Sequence, residues 1–343
     1  MINRLLAILL LSTVALAGCG SAEQGDENAS NQTTAANDAY EQLLKKRREV
    51  EPITERLAIT KEFLDEFPES EHTANALAAV FYYQGEELGD MLGAITYAEE
   101  IRGAIDDPEI AKEVDKKLIG FYGESGATGK MITLADQLAA AGALDFDDHW
   151  NIIEGAVKAE EWKLVRDYCA KARGMTNAES YRADHPDNDL SEEEVAEAVN
   201  NRVGMLLVKD GWARANQGQI DTALADFAKA DNLIPRYYFD IPEYDLNIYW
   251  AKTLLMRKKF EAAIERFAMS GLVMGEEEAL TGLKEAYIGI HGSESGFEAY
   301  AAKLHLSIAR TIDDFEMPDY EGNRHRFSDL RSDVTVLTLW FPT

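Results

Sequence analysis

Six histidines, at 72, 149, 185, 291, 305 and 325, and two cysteines, Cys19 and Cys169, are the residues whose chemistry is easiest to test in this chain. No histidine stands at zinc-ligand spacing from a cysteine or a second ligand, so no metal is expected. Residues 123–131, GESGATGKM, can be tested as a phosphate-binding loop, which needs a glycine five residues before the Gly-Lys pair and a hydroxyl after it. Glu124 occupies the first of those positions and Met131 the last, with no strand before them. Residues 184–194, DHPDNDLSEEE, are as acidic as a calcium loop. Counted from Asp187, the glycine position holds Glu192 and the bidentate position Ala198, which fails the pattern. The stretch reads as a surface loop that starts a helix, with Ser191 as N-cap and Glu194 closing a capping box. No Ser/His/Asp set or isolated carboxylate pair stands out among 62 acidic residues, so no catalytic residue and no cofactor is assigned. Cys169, in WKLVRDYCAKA, lies on the apolar side of a helical pattern and reads as a buried, inert thiol.

The chain has 343 residues, 46% of them hydrophobic, enough for two domains or one extended repeat array. With 62 Asp and Glu against 34 Lys and Arg, the net charge of -28 would repel phosphate backbones, and nucleic acid is excluded as a partner. At the N-terminus Arg4 precedes an apolar stretch over 5–17 that is too short to span a bilayer comfortably, the layout of a secretory signal. The following LAGC resembles the bacterial lipobox. That resemblance implies a signal peptide over 1–18, cleavage before Cys19 and acylation of Cys19, hence a lipid-anchored protein of the cell envelope facing the periplasm. Gly20 after the cysteine, rather than Asp, points to the outer membrane. Polar residues 19–36 read as a flexible tether. With Cys19 acylated, Cys169 is the only free thiol, so no internal disulfide is expected.

Residues 37–306 are helical by periodicity, dominated by Ala, Leu and Glu. GWARANQGQIDTALADFAKADNLIP resembles the tetratricopeptide (TPR) repeat. Gly211 and Ala223 take the close-crossing positions, Gly218 the turn, and Phe227, Ala230 and Pro235 close the second helix, with Leu207 where an aromatic is usual. A second copy places Ala251, Phe260, Ala263 and Phe267 in matching positions, with Lys258 for the turn glycine and Ser270 for the late alanine. Weaker copies surround Gly89 and Ala94, and Trp162 and Val165. The fold class is therefore mainly α, a TPR-like α-solenoid of roughly five to seven helix pairs. Stacked hairpins share a core that one hairpin cannot bury alone, and their groove implies a protein or peptide partner. Four aromatics in RYYFDIPEY, residues 236–244, read as packing of an irregular connection.

From Thr311 the rhythm changes. Residues 315–319 read as extended, YEGNRHRF as a turn into a short strand, and Ser328 as the cap of one helical turn before an apolar strand over 334–341. The order is similar to the opening of a thioredoxin-like domain of the TlpA or redoxin kind, related to the AhpC/TSA peroxidases. The resemblance is carried by Asp314 and Phe315, Pro318 and Asp319, Gly322, Ser328 to Arg331, and Trp340, Phe341, Pro342 and Thr343. Ser332-Asp333 stands where the family has Gly-Lys. It implies an incomplete α/β fragment over 311–343, in a family whose redox Cys follows the central strand at a helix N-terminus, where its thiolate is stabilised. Two functions follow as expectations: a membrane-anchored thiol-disulfide oxidoreductase whose TPR-like region holds the client, inactive as given because the redox centre is missing, or a non-enzymatic TPR-like scaffold lipoprotein. The stop after Thr343 is read either as a truncation or as a UGA codon decoded as selenocysteine.

Overall fold

The computed structural model describes residues 26–186, 188–236, 244–308 and 313–330. Cys19, most of the aromatic insert, and Trp340, Phe341, Pro342 and Thr343 lie outside them, as does the apolar strand expected over 334–341. The chain divides into two compact units, Met1–Lys259 and Phe260–Thr343.

The first unit is a succession of helices: α1 (Asp26–Glu49), α2 (Ile53–Glu66), α3 (Thr73–Val80) continued by a π-helical segment Phe81–Glu87, α4 (Met91–Gly103), α5 (Pro108–Ser125) and α6 (Thr128–Ala140). It continues through α7 (Phe146–Lys158), α8 (Trp162–Met175), α9 (Ala178–Asp184), α10 (Glu192–Asn216), α11 (Ile220–Ala230) and α12 (Tyr244–Met256). Helix α1 begins at Asp26, inside the segment read as a tether. Polar composition set that reading, yet DENASNQTTAANDAYEQLLKKRRE contains no Gly or Pro to break a helix.

Local chemistry fixes the helix starts. Asp107 accepts hydrogen bonds from the N–H groups of Glu109 and Ile110, with Pro108 at the first helical position, where its missing N–H costs nothing. Ser191 and Glu194 form a reciprocal capping box at α10. Asp145 and Asp148 form another at α7. Residues 123–131 are the end of α5, a left-handed Gly126 and the start of α6, a helix-to-helix turn with no strand before it.

Four of the helix junctions share one turn. Gly89, Glu160, Gly218 and Lys258 all have positive φ (74°, 58°, 80° and 54°), and each lies two residues past one helical segment and two before the next. The following N–H reaches back across the turn: Glu161 to Ala156 O, Gln219 to Arg214 O and Lys259 to Leu254 O, each at 2.9 Å, and Asp90 to Gln84 O at 2.8 Å. This closes orphan carbonyls at a helix end by a bond six residues wide. The Gln84 acceptor lies one residue further back because the helix ahead of Gly89 is wound as a π-helix.

Burial follows the hairpin pattern. Leu64, Leu77, Ile119, Met131, Ile152, Ile153 and Tyr168 belong to one continuous core. Leu207, Val208, Ala223, Phe227, Ala230, Ile234 and Leu246 form a further cluster around α10, α11 and α12.

In the second unit α13 (Phe260–Ala268), a π-helical segment Met269–Val273, α14 (Glu277–His291) and α15 (Phe297–Ile308) precede a two-stranded antiparallel hairpin. Strand β1 (Glu316–Pro318) pairs with β2 (Arg324–Arg326) in the register Met317 to His325, and α16 (Phe327–Leu330) follows. The mainly α fold is thus a set of TPR-like hairpins plus one small hairpin of strands.

Candidate functional site

Leu206, Leu207, Val208, Gly211 and Ala213 bury the later half of helix α10, and its charges Lys209 and Asp210 are buried with them. Adjacent residues of a helix point about 100° apart, so these two project in different directions. Each organises its own cluster.

Lys209, 2% exposed, lies between Glu154 of α7 (2.6 Å) and Asp245 of α12 (2.7 Å). Its Nζ stands 5.2 Å from the ring centre of Trp150 and 5.4 Å from that of Tyr249. Burial works against the ammonium, but the Asp245 and Glu154 carboxylates outweigh it and raise the pKa above that of a free lysine. Lys209 is held as a cation, not as a free amine for covalent chemistry. Around it Trp212 stacks on Tyr249 at 4.8 Å, Trp162 meets Trp212 edge-on at 6.2 Å, and Lys252 stands 5.6 Å from the Trp212 ring centre. Trp150, Trp212 and Tyr249 are half-buried. They come from α7, α10 and α12, and α10 touches both of the others. The result is a half-exposed aromatic face with a fixed cation beneath it.

Asp210 accepts from three guanidiniums: Arg166 Nε at 3.3 Å, Arg173 at 3.3 Å and Arg214 at 3.1 Å. Arg214 Nε also lies 3.1 Å from Asp226 Oδ2, a contact not aligned as a hydrogen bond. Arg166 donates to Gln217 Oε1 at 3.0 Å. Cys169 lies within this region, fully buried. Burial raises its thiol pKa, with Asp210 adding to the effect, so it has no thiolate character at neutral pH.

A cleft of about 640 Å³ opens between α4, α5 and α6. Its charges are paired with one another: Arg102 holds Asp115 through two bonds of 2.7 and 3.0 Å, while Lys130 and Tyr122 both donate to Glu99, at 2.6 and 2.7 Å. Among the described residues no group of three or more His, Cys, Asp and Glu is arranged to hold a metal ion.

The structure gathers the first repeat's packing residues. A Cβ placed on Gly211 would stand 3.0 Å from the Phe227 ring and 3.4 Å from the Ala223 carbonyl, so α10 and α11 cross there. Ala223, Phe227 and Ala230 are fully buried, and Pro235 follows α11 half-buried. Of the second copy, Ala251 is buried in the first unit. Ala263 and Phe267 are buried in the second, where the Phe260 and Phe267 rings lie on α14 at Gly289 and Gly282.

In the tail, Phe315 stacks on Phe327 at 5.0 Å. Asp319 accepts from the N–H groups of Glu321 and Asn323 and from His325 Nε2 at 2.9 Å. Those bonds, His325's first, hold its pKa below the usual carboxylate range. Pro318 ends β1, and Gly322 turns the chain with φ 88°. Ser328 is not the cap expected for α16. Its N–H (2.8 Å) and hydroxyl (3.1 Å) both donate to the Asp314 carboxylate, which satisfies the helix start from the extended segment before β1. A carboxylate distant in sequence outcompetes a local hydroxyl because it accepts both bonds.

No family model matches the chain, and no curated protein matches it. Among solved structures it is similar to a tetratricopeptide repeat protein from Parabacteroides merdae ATCC 43184, at 14% identity over 78% of this chain and 99% of that one, with a TM-score of 0.37. It is also similar to the TPR2AB-domain:pHSP90 complex of yeast Sti1, at 14% identity over 83% and 100% of the two chains, with a TM-score of 0.25. Neither superposition is close enough to carry an argument about function.

Proposed function

We propose that this protein is a non-enzymatic interaction scaffold whose TPR-like array holds a segment of a partner protein against the face shared by α7, α10 and α12. The observation that supports it is the half-buried trio Trp150, Trp212 and Tyr249 on α7, α10 and α12. Large rigid rings left partly in water offer contact area at low entropy cost, and the Lys209 ion pairs join the three helices that carry them. A library of random peptides displayed on phage and panned on the full chain tests this. Enriched peptides should lose binding to Lys252→Ala with melting unchanged, and to Trp212→Ala with circular dichroism showing that the variant remains folded. Enrichment indifferent to both substitutions overturns the assignment of this face.

The scaffold is read as lipid-anchored through Cys19 on an envelope membrane facing the periplasm, on the strength of Arg4, the apolar run and LAGC alone. Cys19→Ser should move the protein from the membrane to the soluble fraction, and a variant still in the membrane fraction removes that reading.

A second reading, a thioredoxin-like oxidoreductase with a TPR-like client arm, is favoured by one observation: Asp314 to Leu330 forms an extended lead-in, a strand hairpin and a helical turn in that family's order. Among the described residues the cysteine, Cys169, is buried and supplies no redox nucleophile for it. Reading the DNA beyond the Thr343 codon decides. A continuation in frame with a Cys, or a selenocysteine read at UGA, followed by the remaining strands supports this reading; a continuation with neither removes it.

A further inference from the structure

The three guanidiniums on Asp210 exceed what neutralising that carboxylate requires. Asp210 and Asp226 are the acids beneath Arg166, Arg173 and Arg214, so three cations stand over two anions. Depth separates them further: the Asp210 and Asp226 side chains are 4% and 10% exposed, whereas those of Arg166, Arg173 and Arg214 are 32%, 38% and 24% exposed. Solvent therefore meets the cations. They are held in place from below, by Asp210 on all three and by Gln217 on Arg166. Arg173 uses a single amino group in its bond to Asp210, which leaves the rest of its fork to accept another partner. Nearby Asp167 is already occupied by Lys163 at 2.5 Å. In a chain of net charge -28 this is a cationic island.

We infer that the island of Arg166, Arg173 and Arg214 binds carboxylates of an acidic segment of a protein partner, an inference that rests on the scaffold reading for the ligand being a protein. Guanidinium forks match carboxylates two bonds at a time, and side chains already positioned lose little entropy on binding. The overall negative charge does not forbid the contact. At about 0.15 M salt the screening length is roughly 8 Å, so a bound carboxylate responds to the three guanidiniums around Asp210 more than to distant acids.

The test is calorimetric titration of the full chain with hexa-L-glutamate at about 0.15 M salt. Saturable binding is expected, with none for hexa-L-glutamine, and both Arg173→Gln and Arg166→Gln should weaken it about tenfold, the size of one charged hydrogen bond. Circular dichroism melts of both variants check that the fold survives. Should either variant unfold, absence of hexaglutamate binding to the unaltered chain still overturns the proposal. It is also overturned if both folded variants bind hexaglutamate undiminished, or if inorganic phosphate binds more tightly than hexaglutamate. Peptides selected through Trp212 that still bind in any of those cases leave the scaffold reading intact and remove only this one.

Discussion

Lys258 carries a side chain in a backbone conformation that L-residues avoid, at φ 54°, and Glu160 does so at φ 58°. The left-handed region brings Cβ against the following carbonyl, and Gly218 meets the same geometry without a Cβ. Lys258→Gly should therefore raise stability by about 1 kcal/mol, the strain removed less the extra freedom glycine gives the unfolded chain. Urea unfolding with an unchanged m-value measures it, and a loss of stability would show that the Lys258 side chain contributes a contact of its own. Asp148 behaves differently. Burial, then the neighbouring Asp145 charge, raises its pKa from 3.8 to about 6, against the pull of the Asp145 N–H contact and Lys116 at 3.1 Å. Because the folded state holds the proton more tightly, this group's favourable contribution is complete below pH 3.8 and is lost as pH rises through about 6. Asp145 is buried too, yet the Lys116 bond and its neighbours lower its pKa, so its effect falls below that window. Asp148→Asn should remove part of the decline in melting temperature between pH 4 and 6 while leaving the slope below pH 3.8 intact; identical profiles for the two proteins would sink the assignment.

At the scale of elements, the α10–α11 hairpin was legible because Gly211, Gly218, Ala223 and Phe227 keep the repeat's spacing and side-chain sizes. Gly211→Leu should cost about 1–3 kcal/mol by overpacking against Phe227, read from thermal or urea unfolding, and an unchanged melt would mean the ring has room to turn. The hairpin before Trp162 was harder to see because Glu160 occupies its glycine position; the turn is set by where the helices end, and the residue tolerates it. The Lys209 and Asp210 clusters were invisible to motif matching because their partners, Glu154, Arg166, Asp226 and Asp245, are spread over four other helices. A trace existed in the sequence: two opposite charges between the apolar Leu206, Leu207 and Val208 and the crossing residue Gly211. The sequence also suggested Ser328 as a cap, since a serine before Asp-Leu suits a local one. Asp314 replaces it from fourteen residues away. Asp314→Ala should therefore loosen α16, seen as faster amide exchange at Ser328, whereas Ser328→Ala should leave that N–H bonded to Asp314.

Across the whole molecule, a net charge of -28 makes the compact state repel itself, and salt relieves this over a screening length of roughly 8–10 Å at ordinary ionic strength. The melting temperature should rise from low salt to about 0.15 M, the opposite of what an array held mainly by surface ion pairs would show.

A stack in which each repeat touches only its neighbours can be shortened from one end, one hairpin at a time. Lys209 removes that freedom here, since its two carboxylates come from helices on either side of its own, Glu154 from α7 and Asp245 from α12. A protein ending at Pro235 would keep the Lys209–Glu154 pair but lose Asp245 together with the helix that covers both. Recombination or grafting would have to carry Glu154, Lys209 and Asp245 together, so for inheritance as well as for engineering α7 through α12 travel as one piece.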